Sequence, residues 1–147
     1  MSHEHWKLLA DAFNPTVGLL AIAVPWIFKP GRSLSRSRYF VAALSAMAVM
    51  YLLRAIEHSP EAVLPKTLGV HYSAHTGFAV VALIALSVWR SGFAWPGLAA
   101  FSAYGALMVY QHYHGWGDIG ATAFLIGATT VFIFSVALVT VGGPAKR

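Results

Sequence analysis

The stretch Tyr110–Ala121, YQHYHGWGDIGA, gathers groups that can do chemistry between two long apolar runs. It contains His112, His114 and Asp118. A neutral imidazole is a competent nucleophile or metal ligand near neutral pH, and a carboxylate that holds one ring nitrogen makes the other more effective. The residue types and their spacing therefore indicate either nucleophilic catalysis or metal binding at this point of the chain.

Two further stretches carry polar groups at the edge of an apolar run. In LLRAIEHS, Arg54 and Glu57 are three residues apart, so they share one face of a helix and can pair. In HYSAHTGF, His71 and His75 are four residues apart and share a face if the helix already includes both. We expect the three stretches to meet at the ends of neighbouring helices and to form a pocket there.

The composition indicates that membrane helices position these stretches. The chain has 147 residues, of which 58% are hydrophobic and 10% charged, and its mean hydropathy is +0.65, whereas about a quarter of the residues in an average globular domain are charged. The sequence therefore predicts an all-α, polytopic membrane bundle with about five transmembrane helices in a single domain, residues 1–147. The predicted apolar segments are Pro15–Phe28, Tyr39–Ile56, Thr76–Trp89, Phe93–Tyr110 and Ile119–Val141.

The first and third segments are shorter than the roughly 20 residues that cross a hydrocarbon core. They reach that length by including polar flanks, Leu8–Asn14 for the first and His71–His75 for the third. Asn14 and Pro15 could be the cap and first residue of a helix, or Pro15 could kink a longer one.

Lysine and arginine are distributed unevenly between the two ends of the predicted bundle. Connections rich in these residues stay in the cytoplasm, so we expect the basic end and the C-terminus to be cytoplasmic. The opposite end holds all seven histidines and all five acids, and we expect it to face the periplasmic side of a bacterial inner membrane. The net charge of +5 then reflects topology and attraction to anionic membrane lipid, with no nucleic acid as partner. The residues of the basic end are Lys29, Arg32, Arg36, Arg38, Arg90, Lys146 and Arg147.

Two of the polar stretches resemble signatures of the type 2 phosphatidic acid phosphatase superfamily, the membrane phosphatases related to vanadium haloperoxidases. YSAHTGF resembles the second motif, roughly P-S-G-H, at Ser73 and His75, and HGWGD resembles the third, S-R-x5-H-x3-D, at His114 and Asp118. The resemblance implies hydrolysis of a lipid phosphate or diphosphate without a cofactor. It implies that His114 attacks phosphorus, that Asp118 orients it, and that His75 protonates the leaving oxygen while Ser73 donates hydrogen bonds.

The sequence departs from this family at the phosphate-binding positions. Leu107 and Met108 stand where the third motif has serine and arginine, and the first motif, a lysine followed seven residues later by Arg-Pro, is absent. A transferred phosphoryl group needs its oxygens neutralised by cations. At the histidine-bearing end the sequence offers Arg54 and Lys66 for this purpose.

Two other functions fit the same residues. A divalent transition metal such as Zn²⁺, Cu²⁺ or Fe²⁺ takes imidazole and carboxylate ligands and could support hydrolysis or redox chemistry. Alternatively, the chain is a non-catalytic subunit of a membrane complex. Its small size and its packing glycines permit a homo-oligomer or a larger membrane complex. The candidate metal ligands are His71, His75, His112, His114, Asp118 and Glu57.

Overall fold

The computed structural model describes residues 3–31, 34–57, 59 and 69–139. Within these residues the chain forms five α-helices, a short 3-10 turn and no strand, so the all-α prediction is confirmed. The helices are α1 (His3–Ile27), α2 (Arg36–Glu57), α3 (Ala74–Trp89), α4 (Ala94–Tyr110) and α5 (Trp116–Val139), and the 3-10 turn at Ser91–Phe93 leads into α4.

Four helical segments are long and apolar enough to cross a membrane, which supports the prediction of an integral membrane protein: α1, α2, α5, and α4 together with the 3-10 turn that precedes it, Ser91–Tyr110. The fifth, α3, has 16 residues and is roughly 24 Å long at 1.5 Å per residue, less than the thickness of a hydrocarbon core. It packs against each of the other four helices and most of its residues are buried. Because the neighbouring helices surround α3, this helix can be shorter than the hydrocarbon core is thick.

The first helix is longer than its apolar segment and contains two prolines. The flank Leu8–Asn14 is helical, so Pro15 lies inside a longer helix and does not begin one. Proline has no N–H, and Pro25 therefore leaves the carbonyl of Ala21 without its helical donor. The buried hydroxyl of Tyr39 donates a hydrogen bond to this carbonyl at 2.9 Å. The bond satisfies a backbone group inside the bundle and joins α1 to α2.

Successive helices run in opposite directions, so α1, α3 and α5 all begin at the same end of the bundle. Hydrogen bonds from His71 N and Ser73 N to side chains of α5 join the start of α3 to the start of α5. We call the end of the bundle where these helices begin the histidine end; it includes the start of α1, the end of α2 and residues 71–75 and 111–118. At the other end, Trp89 Nε1 donates to the carbonyl of Phe28 at 3.0 Å, and Gly31 N donates to the carbonyl of Trp89 at 2.7 Å. These bonds hold the connection after α1 against the last turn of α3.

Candidate functional site at the histidine end

The chain approaches α3 through residues 71–73, which are not helical. Ser73 is fully buried, and its Oγ accepts a hydrogen bond from Thr76 N at 3.3 Å, so this serine caps α3. Its own N–H donates to Oγ1 of Thr122 in α5 at 3.0 Å. The structure thus gives the hydroxyl of Ser73 a capping role, and the two bonds fix the start of α3, which carries His75.

Replacing Thr122 by valine removes the acceptor of the Ser73 N–H while keeping the shape of the side chain. Because this N–H is buried, we expect the free energy of unfolding to fall by about 1 to 3 kcal/mol, measured by unfolding in detergent. Thr130→Val in the same helix is the matched control, since the buried Thr130 hydroxyl has no hydrogen-bond partner among the described residues. That substitution should be neutral or stabilising, and equal destabilisation by both variants would contradict the role of Thr122.

Asp118 joins the segment before α3 to the loop before α5. Its Oδ1 accepts a hydrogen bond from His71 N at 2.6 Å, and its Oδ2 accepts one from Gly115 N at 3.0 Å. Asp118 is in the first turn of α5, where the helix dipole favours a carboxylate and where an acidic side chain can satisfy the N–H of a residue at the cap. Backbone groups from two separate segments therefore fix the position of this carboxylate.

His114 lies one helical turn before Asp118, in the loop that leads into α5. Its Nδ1 is 3.7 Å from Asp118 Oδ2, and 21% of its side-chain surface is exposed. This distance exceeds that of a hydrogen bond but permits electrostatic contact. Burial lowers the pKa of His114 below its ordinary value; Asp118 opposes the shift, and the nearby His75 adds to it. The imidazole is therefore mainly neutral at pH 7, the form that acts as a nucleophile.

The lowered pKa of His114 predicts that the fold weakens in mildly acidic solution. The unfolded chain protonates this histidine at about pH 6.5, but the folded protein does so only at lower pH, so the unfolded state binds more protons in between. The contribution of this group to stability should fall as the pH drops through about 6.5 and level off below the folded pKa. We expect His114→Gln to show a shallower loss of thermal stability between about pH 7 and pH 5. An equally steep loss would contradict the assignment.

His75, in the first turn of α3, borders two cavities. Its carbonyl accepts a hydrogen bond from Asn14 Nδ2 at 3.2 Å, which holds α1 against the start of α3. We call the first cavity the histidine cavity; its volume is about 150 Å³, and both His75 and His114 line it. The second, the arginine cavity, has a volume of about 310 Å³, and both His75 and Arg54 line it. His75 therefore borders both cavities, and it shares one with Arg54 and the other with His114.

The walls of the histidine cavity combine polar and apolar side chains from α1, α3 and α4. Met108, at the position of the third-motif arginine, forms part of the wall. Tyr104 is 3% exposed, and its hydroxyl has no hydrogen-bond partner among the described residues. The remaining lining residues are Ala10, Asp11 and Tyr113.

The arginine cavity lies between α1, α2 and α3, and its polar lining residues come from all three helices. Besides Arg54 and His75, they are Asn14 and Tyr51. The other predicted phosphate contact, Lys66, lies outside the described residues. Of the two cations predicted to bind phosphate, the structure therefore describes the position of Arg54 only.

The structure does not bring three or more of the six predicted metal ligands, all within the described residues, together around one point. In the part of the chain that the structure describes, no three histidine, cysteine, aspartate or glutamate residues form a group that could hold an ion. His71 precedes α3, which begins at Ala74, so it does not share a helical face with His75 as the H-x3-H pattern requires. His112 is exposed, with a positive φ of 59°, and neither it nor Glu57 lines either of the two cavities.

Three residues around His75 were not among the predicted site residues: Asp11, Asn14 and Tyr104. Asp11 and Asn14 are three residues apart in α1 and so lie on one face of it. A polar pair on one face of an apolar helix was the signal that could have identified them. Tyr104 carried no such signal, because a tyrosine within an apolar helix is typical of a packed core or a membrane interface.

Comparison of the chain with models of protein families, with curated proteins and with solved structures finds no match. The function of the histidine end therefore has to be inferred from its residues and their geometry.

Proposed function

We propose that this protein hydrolyses a lipid phosphate or diphosphate through a phosphohistidine formed on His114. One observation carries the proposal: His75 and His114, the two histidines to which the resemblance assigns chemistry, line a single cavity, with Asp118 3.7 Å from His114. His75 and His114 are 39 positions apart in sequence. Their convergence at one cavity is what a general acid and a nucleophile acting on the same bond require.

In the proposed reaction, Nε2 of His114 attacks phosphorus because Nδ1 is the nitrogen near Asp118. The bond between phosphorus and the leaving oxygen breaks, and this oxygen takes a proton from protonated His75. Neutral His75 then removes a proton from water, which attacks the phosphohistidine and releases inorganic phosphate. Asp118 stabilises the positive charge that His114 carries in the intermediate.

Arg54 is the proposed partner of the phosphate oxygens. It lines the arginine cavity, which shares His75 with the histidine cavity as a lining residue, and an arginine can bind two oxygens of one phosphate at once. In the proposed complex the phosphoryl group lies beside His75, between Arg54 and His114. In this proposal, a cation from α2 takes the role of the arginine that Met108 replaces.

The proposed reaction takes place at the outer face of the bacterial inner membrane, with the C-terminus in the cytoplasm. Support comes from the charge distribution: the described basic residues Lys29, Arg36, Arg38 and Arg90 lie in or next to the connections at the end opposite the histidines. Lipid headgroups would then reach the two cavities directly from the outer leaflet.

The test is phosphate release from defined lipids by the purified protein in detergent. The panel contains phosphatidic acid and an isoprenoid diphosphate, and a rapid acid-free quench with ³²P-labelled substrate traps the intermediate on histidine. We expect phosphate release that persists in EDTA together with a label that is lost in acid. Activity that EDTA abolishes and Zn²⁺ restores, without a covalent label, would overturn the proposal in favour of metal-dependent hydrolysis, and absence of phosphate release from the whole panel would favour a non-catalytic subunit.

A further inference from the structure

Next to the arginine cavity along the bundle lies an apolar groove between α1 and α2. The groove has a volume of about 190 Å³, and α3 forms its floor. Phe78 lines both the cavity and the groove, and it packs closely against Gly18, where an added Cβ would lie 3.0 Å from the Phe78 ring. The ring of Phe78 therefore marks the boundary between a polar compartment and an apolar one.

The lining residues follow one another along each helix at helical spacing. On α1 the lining residues run from Asn14 and Pro15 to Gly18, Ala21 and Ile22. On α2 they run from Arg54 and Tyr51 to Met47, Leu44 and Phe40. On α3 they run from His75 and Phe78 to Ala82 and Ala85. From residue 75 to residue 85 the path is roughly 15 Å long at 1.5 Å per residue. It thus covers about half of a 30 Å hydrocarbon core.

The chemistry changes along this path from cationic to wholly apolar. Arg54 supplies a permanent positive charge at the histidine end. In the groove the lining side chains are apolar except for Tyr39, whose hydroxyl already donates to the carbonyl of Ala21. Ile22 and Leu44, on opposite walls, are 58% and 68% exposed, so the groove borders the lipid. Such a path suits a ligand with an anionic head and a hydrocarbon chain.

The apolar lining favours a hydrocarbon chain over a helix from a second protein as the occupant. A helix with its side chains is about 10 Å across, much wider than a single hydrocarbon chain. A flexible hydrocarbon chain has no side chains or backbone polar groups to accommodate, and it gains from every apolar contact that it makes.

We propose that the groove between α1 and α2 binds a hydrocarbon chain of a membrane lipid whose phosphate head lies against Arg54 and His75. This inference deepens the proposed function and rests on it for the choice of a phosphate head. It assigns the lipid a lateral path, in which the chain stays in the membrane between two helices while the head lies in the arginine cavity beside His75.

The test measures lipid binding apart from turnover, by native mass spectrometry of full-length protein carrying His114→Ala. The probes are dioleoyl phosphatidic acid, dioleoylglycerol with the same chains, and glycerol 3-phosphate with the same head. We expect phosphatidic acid to bind at least tenfold tighter than either of the others, and Arg54→Gln to remove most of its advantage over dioleoylglycerol. Equal binding of phosphatidic acid and dioleoylglycerol would overturn the proposal.

The groove itself is tested by filling it. Ala43 lines the groove, whereas Ala48 on the same helix is exposed and does not. Ala43→Phe should weaken binding of phosphatidic acid about tenfold or more, and Ala48→Phe less than twofold. If Ala43→Phe does not fold, Ile22→Trp on the opposite wall replaces it, with Leu19→Trp, at an exposed position outside the groove, as its control. Identical binding by a groove variant and its control would exclude this site.

The outcomes separate the groove from the catalytic proposal. If Ala43→Phe weakens lipid binding but the wild-type protein releases no phosphate, the groove is supported and the phosphatase is refuted. If the wild-type protein releases phosphate and Ala43→Phe leaves the KM for the lipid unchanged, the phosphatase is supported and the groove is refuted.

Discussion

His114→Ala is expected to abolish phosphate release, with a loss of at least about 10³-fold in kcat, while the protein stays folded. In the proposed reaction this imidazole forms the covalent bond to phosphorus, so no residual route through the phosphohistidine remains. Asp118 keeps its hydrogen bonds from His71 N and Gly115 N when the imidazole is removed, so the loop before α5 stays anchored. The measurement is initial-rate release of phosphate from the lipid that is active in the panel, with thermal unfolding recorded for the same samples.

His112→Ala is the matched control for this variant. His112 is two residues earlier in the same loop, but it is exposed and lines neither cavity. We expect it to retain activity within about threefold and to acquire ³²P label normally. Comparable losses in both variants would mean that the loop, and not the His114 imidazole, supports turnover. Residual activity of His114→Ala within tenfold of wild type would rule out a covalent role for this residue.

The bundle itself was predictable from hydrophobicity because a membrane-spanning segment must satisfy its backbone internally and present apolar side chains to lipid. The boundary of α1 was less predictable. A proline usually marks the start of a helix, but Pro15 and Pro25 both lie within α1. The Tyr39 hydroxyl compensates for the second of them from another helix. A compensation that depends on tertiary contact cannot be found by examining one segment.

The start of α3, at the candidate site, was predictable from the sequence. Spacing alone allowed His71 and His75 to share a helical face, but the helix begins between them because Ser73 caps it. A serine before an apolar run is a known capping signal, so this boundary was present in the sequence and could have corrected the H-x3-H interpretation. The backbone of His71 instead takes part in the site, by donating to Asp118 at 2.6 Å.

The composition of the cavities was only partly predictable. The spacing of His114 and Asp118, four residues apart, was sufficient to predict their proximity. The meeting of His75 with His114 followed from placing helix ends on one side of a membrane. The contributions of Asp11 and Tyr104 depend on how α1 and α4 rotate as they pack, and Phe13 stacks on Tyr104 with ring centroids 4.2 Å apart. Such rotations are set by many weak contacts, which hydrophobic periodicity does not specify.

Asp118→Asn is expected to reduce kcat by roughly 10² to 10⁴ while weakening the fold by about 2 kcal/mol. The amide loses the charge that stabilises the positive His114 of the intermediate, which accounts for the loss of rate. It also keeps one oxygen in place of two, whereas the carboxylate accepts from both His71 N and Gly115 N. One of these N–H groups then faces an amide NH₂, which accounts for the loss of stability. Turnover and denaturant unfolding of the same samples measure the two effects.

Asp11→Asn separates these effects from a general change of charge in the cavity. Asp11 also lines the histidine cavity, and its negative charge disfavours an anion nearby, so its neutralisation should leave kcat unchanged and lower KM for the phosphate lipid. The two substitutions are expected to change kcat/KM in opposite directions because the carboxylates differ in the proposed reaction. There Asp118 supports the nucleophile, whereas Asp11 only adds to the local potential. An equal fall in kcat for both variants would show that the cavity requires negative charge as such, which a phosphate-binding site does not. That result would point to a cationic ligand and would remove the basis for assigning the histidines to phosphoryl transfer.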